Sequence, residues 1–309
     1  MSRRIQDKRV THDTTSKTKC GKNIDYYDGK KPVYNLGGGD SFYIPKFIKG
    51  KKLQDEYFVK LLCEINFVQM FQFKHETSLD PIPRMVQGQT DKTTATSSIY
   101  RMPGCNQSNI KTVNWTETVN QILELAKHQV NDPGLNHCVC TLYRDQNDSL
   151  GFHQDKIIDL EEDSLILSIS FGAARPIVFQ EMDGKKQQTI MLQPGSLLAI
   201  GKKTNQQWKH AVPKLDTYVE PRISLSIRHI KTFIEEKTDV ISGKGEEYQT
   251  KNYPFTLSYD EPDKYSQEVK DKIESSMKEA QDKLYQMRAY YFESMSKSET
   301  IFDSDEDIV

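Results

Sequence analysis

The residues able to do chemistry at close spacing begin in Gly151-Phe152-His153-Gln154-Asp155. On a strand, residues two apart point to one face, so His153 and Asp155 can present two ligands to an octahedral metal. His210, in Trp208-Lys209-His210-Ala211-Val212-Pro213, is the candidate third ligand. Two histidines, one carboxylate and open positions form the donor set of non-haem Fe(II) oxygenases. Such a centre needs electrons, and one common source is 2-oxoglutarate, whose keto-acid end chelates iron. Its distal carboxylate calls for a planar guanidinium, hence an arginine on a strand near the third ligand. Pro221-Arg222-Ile223-Ser224-Leu225-Ser226-Ile227-Arg228 answers that demand. Arg222, Ser224, Ser226 and Arg228 share one face of a strand, and Ile223, Leu225 and Ile227 the other. Two arginines and two hydroxyls facing inward are costly to bury without an anion. The alternative is an edge strand holding both arginines in water.

The elements that must position these groups follow from apolar periodicity. Between Asn136 and Ile230, short apolar segments recur with turn residues between them, at 137–143, 150–153, 165–171, 176–180, 189–192, 196–200, 208–212 and 223–229. A run of short strands at this density predicts a sandwich or jelly roll. Ahead of it, spacings of three and four predict helices over 53–67 and 117–130 that cover an outer face. Residues 68–112 mix aromatics, a Pro81-Ile82-Pro83-Arg84 turn and a Thr/Ser-rich loop, and give no clear period. For Phe71 and Phe73 a core role outweighs that of a wedge into a base stack. Val269, Ile273, Met277, Ala280, Leu284, Met287 and Tyr291 predict an amphipathic helix over 266–292. Packing on the domain, or a solvated helix, is its plain reading; a partner or dimer helix is the alternative, because the spacing nearly holds a heptad.

The chain has 309 residues, 36% apolar and 28% charged, with net charge −2. This allows one folded centre with polar ends: a basic, disordered arm over 1–40, a domain over 41–232 and a charged extension over 233–309. Within the domain, 41–135 supplies helices and a substrate lid and 136–232 the jelly-roll core. Residues 1–32 carry nine Lys or Arg against four Asp, whereas the last dozen carry five acids and no base. The basic arm suits nucleic-acid phosphates or a plain solvated tail. No run is long enough to span a membrane and no secretory signal is visible. Five cysteines make no disulfide framework, and Cys138 with Cys140 reads as two buried core thiols rather than a metal pair. An intracellular location is expected, with nucleus and cytoplasm both open.

Taken in order, Leu142-Tyr143-Arg144-Asp145, Asp148 through Asp155, Ser168-Ile169-Ser170-Phe171-Gly172-Ala173 with Arg175, Gly195-Ser196-Leu197-Leu198, Trp208-Lys209-His210 and Pro221 through Arg228 resemble the core of AlkB-type dioxygenases. The resemblance covers residues 41–232 and is nearest the nucleic-acid-repair branch. It implies a mainly β (α+β) fold, a double-stranded β-helix with N-terminal helices and a recognition lid. It implies Fe(II) held by His153, Asp155 and His210, and 2-oxoglutarate held by Arg222 with Thr141, Tyr143, Ser226 and Arg228. It also implies that O2 and 2-oxoglutarate are consumed, that succinate and CO2 form, and that a methylated base in DNA or RNA is demethylated with release of formaldehyde. A base in a duplex would be flipped into the pocket. The residues it places at the substrate are Tyr100, Arg101, Met102, Lys156, Ile157 and Arg175.

This chain departs from the family pattern at several positions. Thr141 stands where an Asn is usual, and Ser224 and Ser226 where Asn and Thr are usual. Ile157 replaces an acid that faces the damaged base in repair members, so that either Asp159 reaches in or the pocket lacks that charge. Met102 replaces an aromatic stacking partner, and methionine packs on a base less specifically. These changes motivate two alternatives: an oxygenase acting on protein or another substrate, and an idle nucleic-acid-binding module.

Overall fold

The computed structural model describes residues 15–17, 23–75, 78–101, 112–249 and 266–302. In chain order come β1 (Thr15–Lys17), β2 (Asn23–Tyr27), β3 (Val33–Leu36), β4 (Ser41–Ile44) and α1 (Lys51–Glu64). A hairpin of β5 (Val68–His75) and β6 (Ser78–Thr90) follows, then β7 (Thr96–Ser98), β8 (Thr112–Val113) and α2 (Glu117–Val130). Next are β9 (His137–Tyr143), β10 (Leu150–His153), β11 (Ile166–Gly172), β12 (Arg175–Glu181), β13 (Lys186–Leu192) and β14 (Leu197–Ile200). The chain continues through α3 (Lys202–Gln207), β15 (Trp208–Val212), β16 (Arg222–Arg228), β17 (Thr232–Glu235), β18 (Ile241–Gly243) and α4 (Gln267–Phe302).

Two large sheets carry the fold, in the orders β1-β2-β13-β12-β15-β10 and β3-β4-β14-β11-β16-β9-β6-β5, with β8 beside β6. From β9 to β16 the chain passes back and forth between them, which makes the jelly roll. Alternation along β16 shows why both faces are needed. Ile223, Leu225 and Ile227 turn outward into a core with Leu61 and Leu62 of α1, Val119 and Ile122 of α2, and Ala280 and Leu284 of α4. Each such side chain contributes about 2 kcal/mol by burial. The opposite residues of β16 turn toward the other sheet, where Tyr43, Val139, Phe179, Leu198 and Trp208 form the inner core.

The expected elements are present, some of them with shifted ends. Helix α1 ends at Glu64 rather than 67 because Ile65 is already extended (φ −86°, ψ 119°). Glu64 then accepts from the Thr118 amide at 3.0 Å and the Thr118 hydroxyl at 2.6 Å, tying α1 to the start of α2. Helix α4 runs ten residues past the expected 292, to Phe302, and packs on the domain. Cys138 and Cys140 are both buried core thiols, with sulfurs 3.7 Å apart. No helix among the described residues is long and apolar enough to cross a membrane.

Two expectations need correction. Residues 23–40 are not a disordered arm: β2 runs parallel to β13, from Asn23 opposite Lys186 to Tyr27 opposite Ile190, and β3 pairs with β4. The pairing partner of β2 is remote in sequence, so local polarity hides the strand. Gly37 (φ 56°) lets the following turn close on α3, since a Cβ there would lie 2.3 Å from Thr204 Cγ2. Residues 68–90, without a clear period in the sequence, form the β5–β6 hairpin, and Pro81-Ile82-Pro83-Arg84, expected as a turn, lies within β6. Residues 1–14 and the acidic tail 303–309 lie outside the described residues.

Candidate active site

Strand register builds the inner end of a cavity of about 250 Å3 between the two sheets. Strand β16 lies between β9 and β11, with Arg222 opposite Tyr143 on one side and Gly172 on the other. Gly172 (φ 81°) is required there, because a Cβ would sit 2.3 Å from the Pro221 carbonyl oxygen. Ser224 lies opposite Thr141 and Ser170, and Ser226 opposite Ser168. Thr141, Tyr143, Ser168, Arg222, Ser224 and Ser226 all line the cavity.

Arg222 is only 1% exposed, with its guanidinium 5.2 Å from the Tyr143 ring centre. Its Nη2 donates to Ser170 Oγ at 2.9 Å and Ser224 Oγ at 3.3 Å, while Nε and Nη1 have no hydrogen-bond partner. Burial pushes this guanidinium below its ordinary pKa, opposed by Tyr143 and reinforced by Arg175. A buried cation with unused donors in a walled cavity calls for an anion. The distal carboxylate of 2-oxoglutarate fits that demand.

Of the other predicted groups, His153 ends β10 and His210 lies in β15, whereas Asp155, expected on the same strand as His153, lies two residues past its end. His153 and His210 form a cross-strand pair with ring centres 4.2 Å apart. His153 Nδ1 lies 2.9 Å from the Gly151 carbonyl oxygen; an N–H donated there leaves Nε2 with its lone pair for a cation. Burial pushes the His210 imidazole down to about 3, with His153 adding to the effect, so the ring is neutral at pH 7. For Asp155, burial acts upward, but Arg228, His210, His153 and the Tyr100 hydroxyl hold its carboxyl well below the usual range. Its Oδ1 accepts from Tyr100 Oη at 2.7 Å and from Arg228 Nη2 at 2.8 Å.

The backbone of Asp155 is held as firmly. Asn205 accepts from the Asp155 amide at 2.9 Å and donates to the Asp155 carbonyl at 2.9 Å. Asn205 sits on α3, whose first turn is capped by Asp40, which accepts from the Lys203 amide at 2.6 Å and the Thr204 amide at 3.1 Å. Two imidazoles and a carboxylate match the donor chemistry of Fe(II). Among the described residues, no three His, Cys, Asp or Glu side chains are gathered closely enough to hold a metal as they stand. Asp155 Oδ1 is instead engaged by Tyr100 and Arg228.

The substrate-side expectations divide. Tyr100 does line the cavity, but it faces inward: its ring lies 4.3 Å from the Arg228 guanidinium and its hydroxyl is committed to Asp155. Arg101 does not face substrate. It is 1% exposed, paired with Asp159, and donates to the carbonyls of Gly245 and Tyr248. That pair also removes Asp159 as an acid for the cavity. Arg175 is fully buried and donates to the carbonyls of Asp145, Asp148 and Pro213, supporting the loop before β10. Ile157 is 47% exposed and lines a separate surface pocket with Leu160 and Lys244, and neither it nor Lys156 lines the cavity. Phe71 is a core residue at 1% exposure. Met102 lies outside the described residues.

Several lining or supporting residues carry no site assignment from the sequence: Ser168, Ser170, Asn205, Gln72 and Arg84. The alternation in Ser168-Ile169-Ser170 was a signal for the first two, because it matches the Ser224-Leu225-Ser226 face across the strands. Asn205 gave no local signal, since its partner is fifty residues away.

The family model described as 2OG-Fe(II) oxygenase superfamily matches residues 40–228. DNA oxidative demethylase ALKBH2 of Bos taurus is 29% identical over 196 residues, covering 59% of this chain and 66% of that protein. The Homo sapiens protein of the same name is 33% identical over 103 residues, covering 31% and 40%. Alpha-ketoglutarate-dependent dioxygenase alkB homolog 3 of Bos taurus is 31% identical over 121 residues, covering 35% and 42%. The chain thus spans less than two thirds of the length of each of these relatives. The solved structure titled "The structure of OsALKBH1" aligns over 64% of this chain with TM-score 0.44 and 16% identity, too distant to carry an argument.

Proposed function

This chain belongs to the 2OG-Fe(II) oxygenase superfamily and is of AlkB type, and from that membership we propose that it demethylates alkylated nucleobases using Fe(II), 2-oxoglutarate and O2. The observation that carries the reading is Arg222, buried with unused donors in the cavity that also holds His153, Asp155 and His210. Arg222 binds the distal carboxylate, with Ser170 and Ser224 holding its Nη2 and Tyr143 packed against its face. His153, Asp155 and His210 would hold the metal, and Tyr100, Arg228 and Asn205 fix the carboxylate and backbone of Asp155. Arg228 is therefore as much a partner of Asp155 as a cosubstrate residue. The iron, when bound, supplies the oxygen chemistry. Of the two atoms of O2, one ends in succinate and the other in a hydroxymethyl group, which leaves as formaldehyde and returns N–H to the base.

The charge of the lining supports a finer statement about substrate. Among the described residues, Arg84, Arg222 and Arg228 line the cavity against a lone carboxylate, Asp155. Bound metal and 2-oxoglutarate, at +2 and −2, leave that balance unchanged. A neutral methylated base is favoured over a cationic one by this field. A second reading, an oxygenase acting on protein or another substrate, is motivated by Ile157, which stands where repair members place an acid and lies away from the cavity. The test is formaldehyde and succinate measured with strands carrying a neutral or a cationic methylated base. One formaldehyde per coupled succinate, faster with the neutral base, is expected. Coupling only to a protein substrate would favour the second reading.

A further inference from the structure

Gln72, Ile82, Arg84 and Val86 of the cavity lining come from the β5–β6 hairpin. Among the described residues, only the second half of β6 has a further antiparallel neighbour: residues from Met85 to Thr90 pair with β9, opposite Leu142 to His137. The distal part, from Phe71 opposite Pro81 to His75 opposite Ser78, pairs within the hairpin. A two-stranded ribbon is marginal in water by itself. Pro81 and Pro83 weaken it further, because neither has an N–H to give. Something else must hold the substrate-facing wall in place.

On its inner side the ribbon is tied to the approach to β10. Arg84 Nη1 donates to the Ser149 carbonyl at 3.1 Å, and the Ser149 amide donates to the Pro83 carbonyl at 2.8 Å. Its outer side is covered by α4. Residues alternate along β5, so Met70 and Gln72 turn inward while Phe71 turns outward. There Phe71, 1% exposed, packs against Ile273, 3% exposed, with Val269 and Met277 beside them. Lys272 closes the contact with a 2.7 Å ion pair to Asp80. Farther along α4, Gln281 donates to the Phe67 carbonyl at 3.0 Å, and Arg288 to the carbonyls of Leu62 and Ile65 at 2.9 and 2.8 Å. The same helix therefore grips the connection from which the ribbon springs. It lies outside the segment matched by the family model, residues 40–228.

We propose that α4 is the back support of the cavity mouth, with Ile273 and Lys272 as positioning residues that set the distal β5–β6 ribbon and thereby substrate selection. The proposal rests on the nucleic-acid reading only for the identity of the substrate. The full-length chain is compared with Ile273→Ser, Ile273→Leu and Lys272→Glu by amide hydrogen exchange and by kinetics. In Ile273→Ser, exchange over 70–75 and 78–84 should rise about tenfold while β9 and β16 are unchanged. KM for the methylated strand should rise about tenfold, whereas KM for 2-oxoglutarate and succinate formation without a second substrate stay within about twofold. Ile273→Leu should behave as the parent, and Lys272→Glu, at an exposed ion pair, should show a change of about threefold. Unchanged exchange in the ribbon, or a parallel rise in both KM values, would overturn the proposal. If the parent demethylates no strand, the functional reading fails and the exchange result alone decides the support role. If Ile273→Ser does not fold, Lys272→Glu carries the same comparison.

Discussion

At the inner end of the cavity, Arg222, Ser224 and Ser226 sit on a strand with paired neighbours on both sides. At the mouth, Gln72 and Arg84 sit on a ribbon held by two hydrogen bonds to the β10 approach and by a helix behind it. Register fixes the first set, because a slip of one residue would exchange Arg222 for Ile223 and turn the whole face over. Packing fixes the second set, and packing can be adjusted without disturbing the ladder. The two ends should therefore respond differently to substitution: the inner end through metal and cosubstrate, the mouth through substrate alone.

The largest effect should come from the metal end. His153→Ala or Asp155→Ala should lower formaldehyde release by about a thousandfold or more, with far-ultraviolet circular dichroism unchanged. Full turnover in either variant would remove the assignment. Next, Arg222→Met should raise KM for 2-oxoglutarate about a hundredfold. It should also abolish the thermal stabilisation that the cosubstrate gives. Without cosubstrate, the same variant should melt no lower than the parent, because an unpaired buried guanidinium is itself unfavourable. A sharp fall in melting temperature would mean that the bonds of Arg222 to Ser170 and Ser224 outweigh the cost of burying its charge. Asn205→Ala removes both bonds to the Asp155 backbone. It should cost about 2 kcal/mol of stability and about tenfold in Mn(II) affinity, read by denaturant unfolding and metal titration. The smallest change belongs to the mouth. Arg84→Gln should shift kcat/KM toward a cationic base by about fivefold relative to a neutral one, with KM for 2-oxoglutarate unchanged.

The same contrast explains what could be read from the residues alone. Strands β9, β10 and β15 and helix α2 have the expected limits because alternation, helical spacing and turn residues lie within each segment. Arg222, Ser224, Ser226 and Arg228 were legible together because a strand face is periodic. The hairpin was hidden because polar residues interrupt both of its faces, Gln72 and Arg84 on the cavity side and Gln87 and Gln89 on the other, so no hydrophobic period of two marks it. Arg101 and Arg175 were assigned to substrate because a buried arginine and a functional one look alike in a sequence. Only Asp159 and distant backbone carbonyls, brought in by the fold, tell them apart. Ile157 follows the same rule. It is two residues past Asp155, but the chain leaves the strand after His153, and the periodicity that would have aimed it inward ends there.

The most direct test of the site is to load the protein anaerobically with Fe(II), 2-oxoglutarate and a short strand carrying a methylated base, then admit oxygen and follow the strand by mass spectrometry. The expected result is a strand lighter by one CH2, with one formaldehyde and one succinate formed, and none of these changes in Asp155→Ala. A strand of unchanged mass together with no succinate would contradict the assignment of His153, Asp155, His210 and Arg222 as an oxygenase centre.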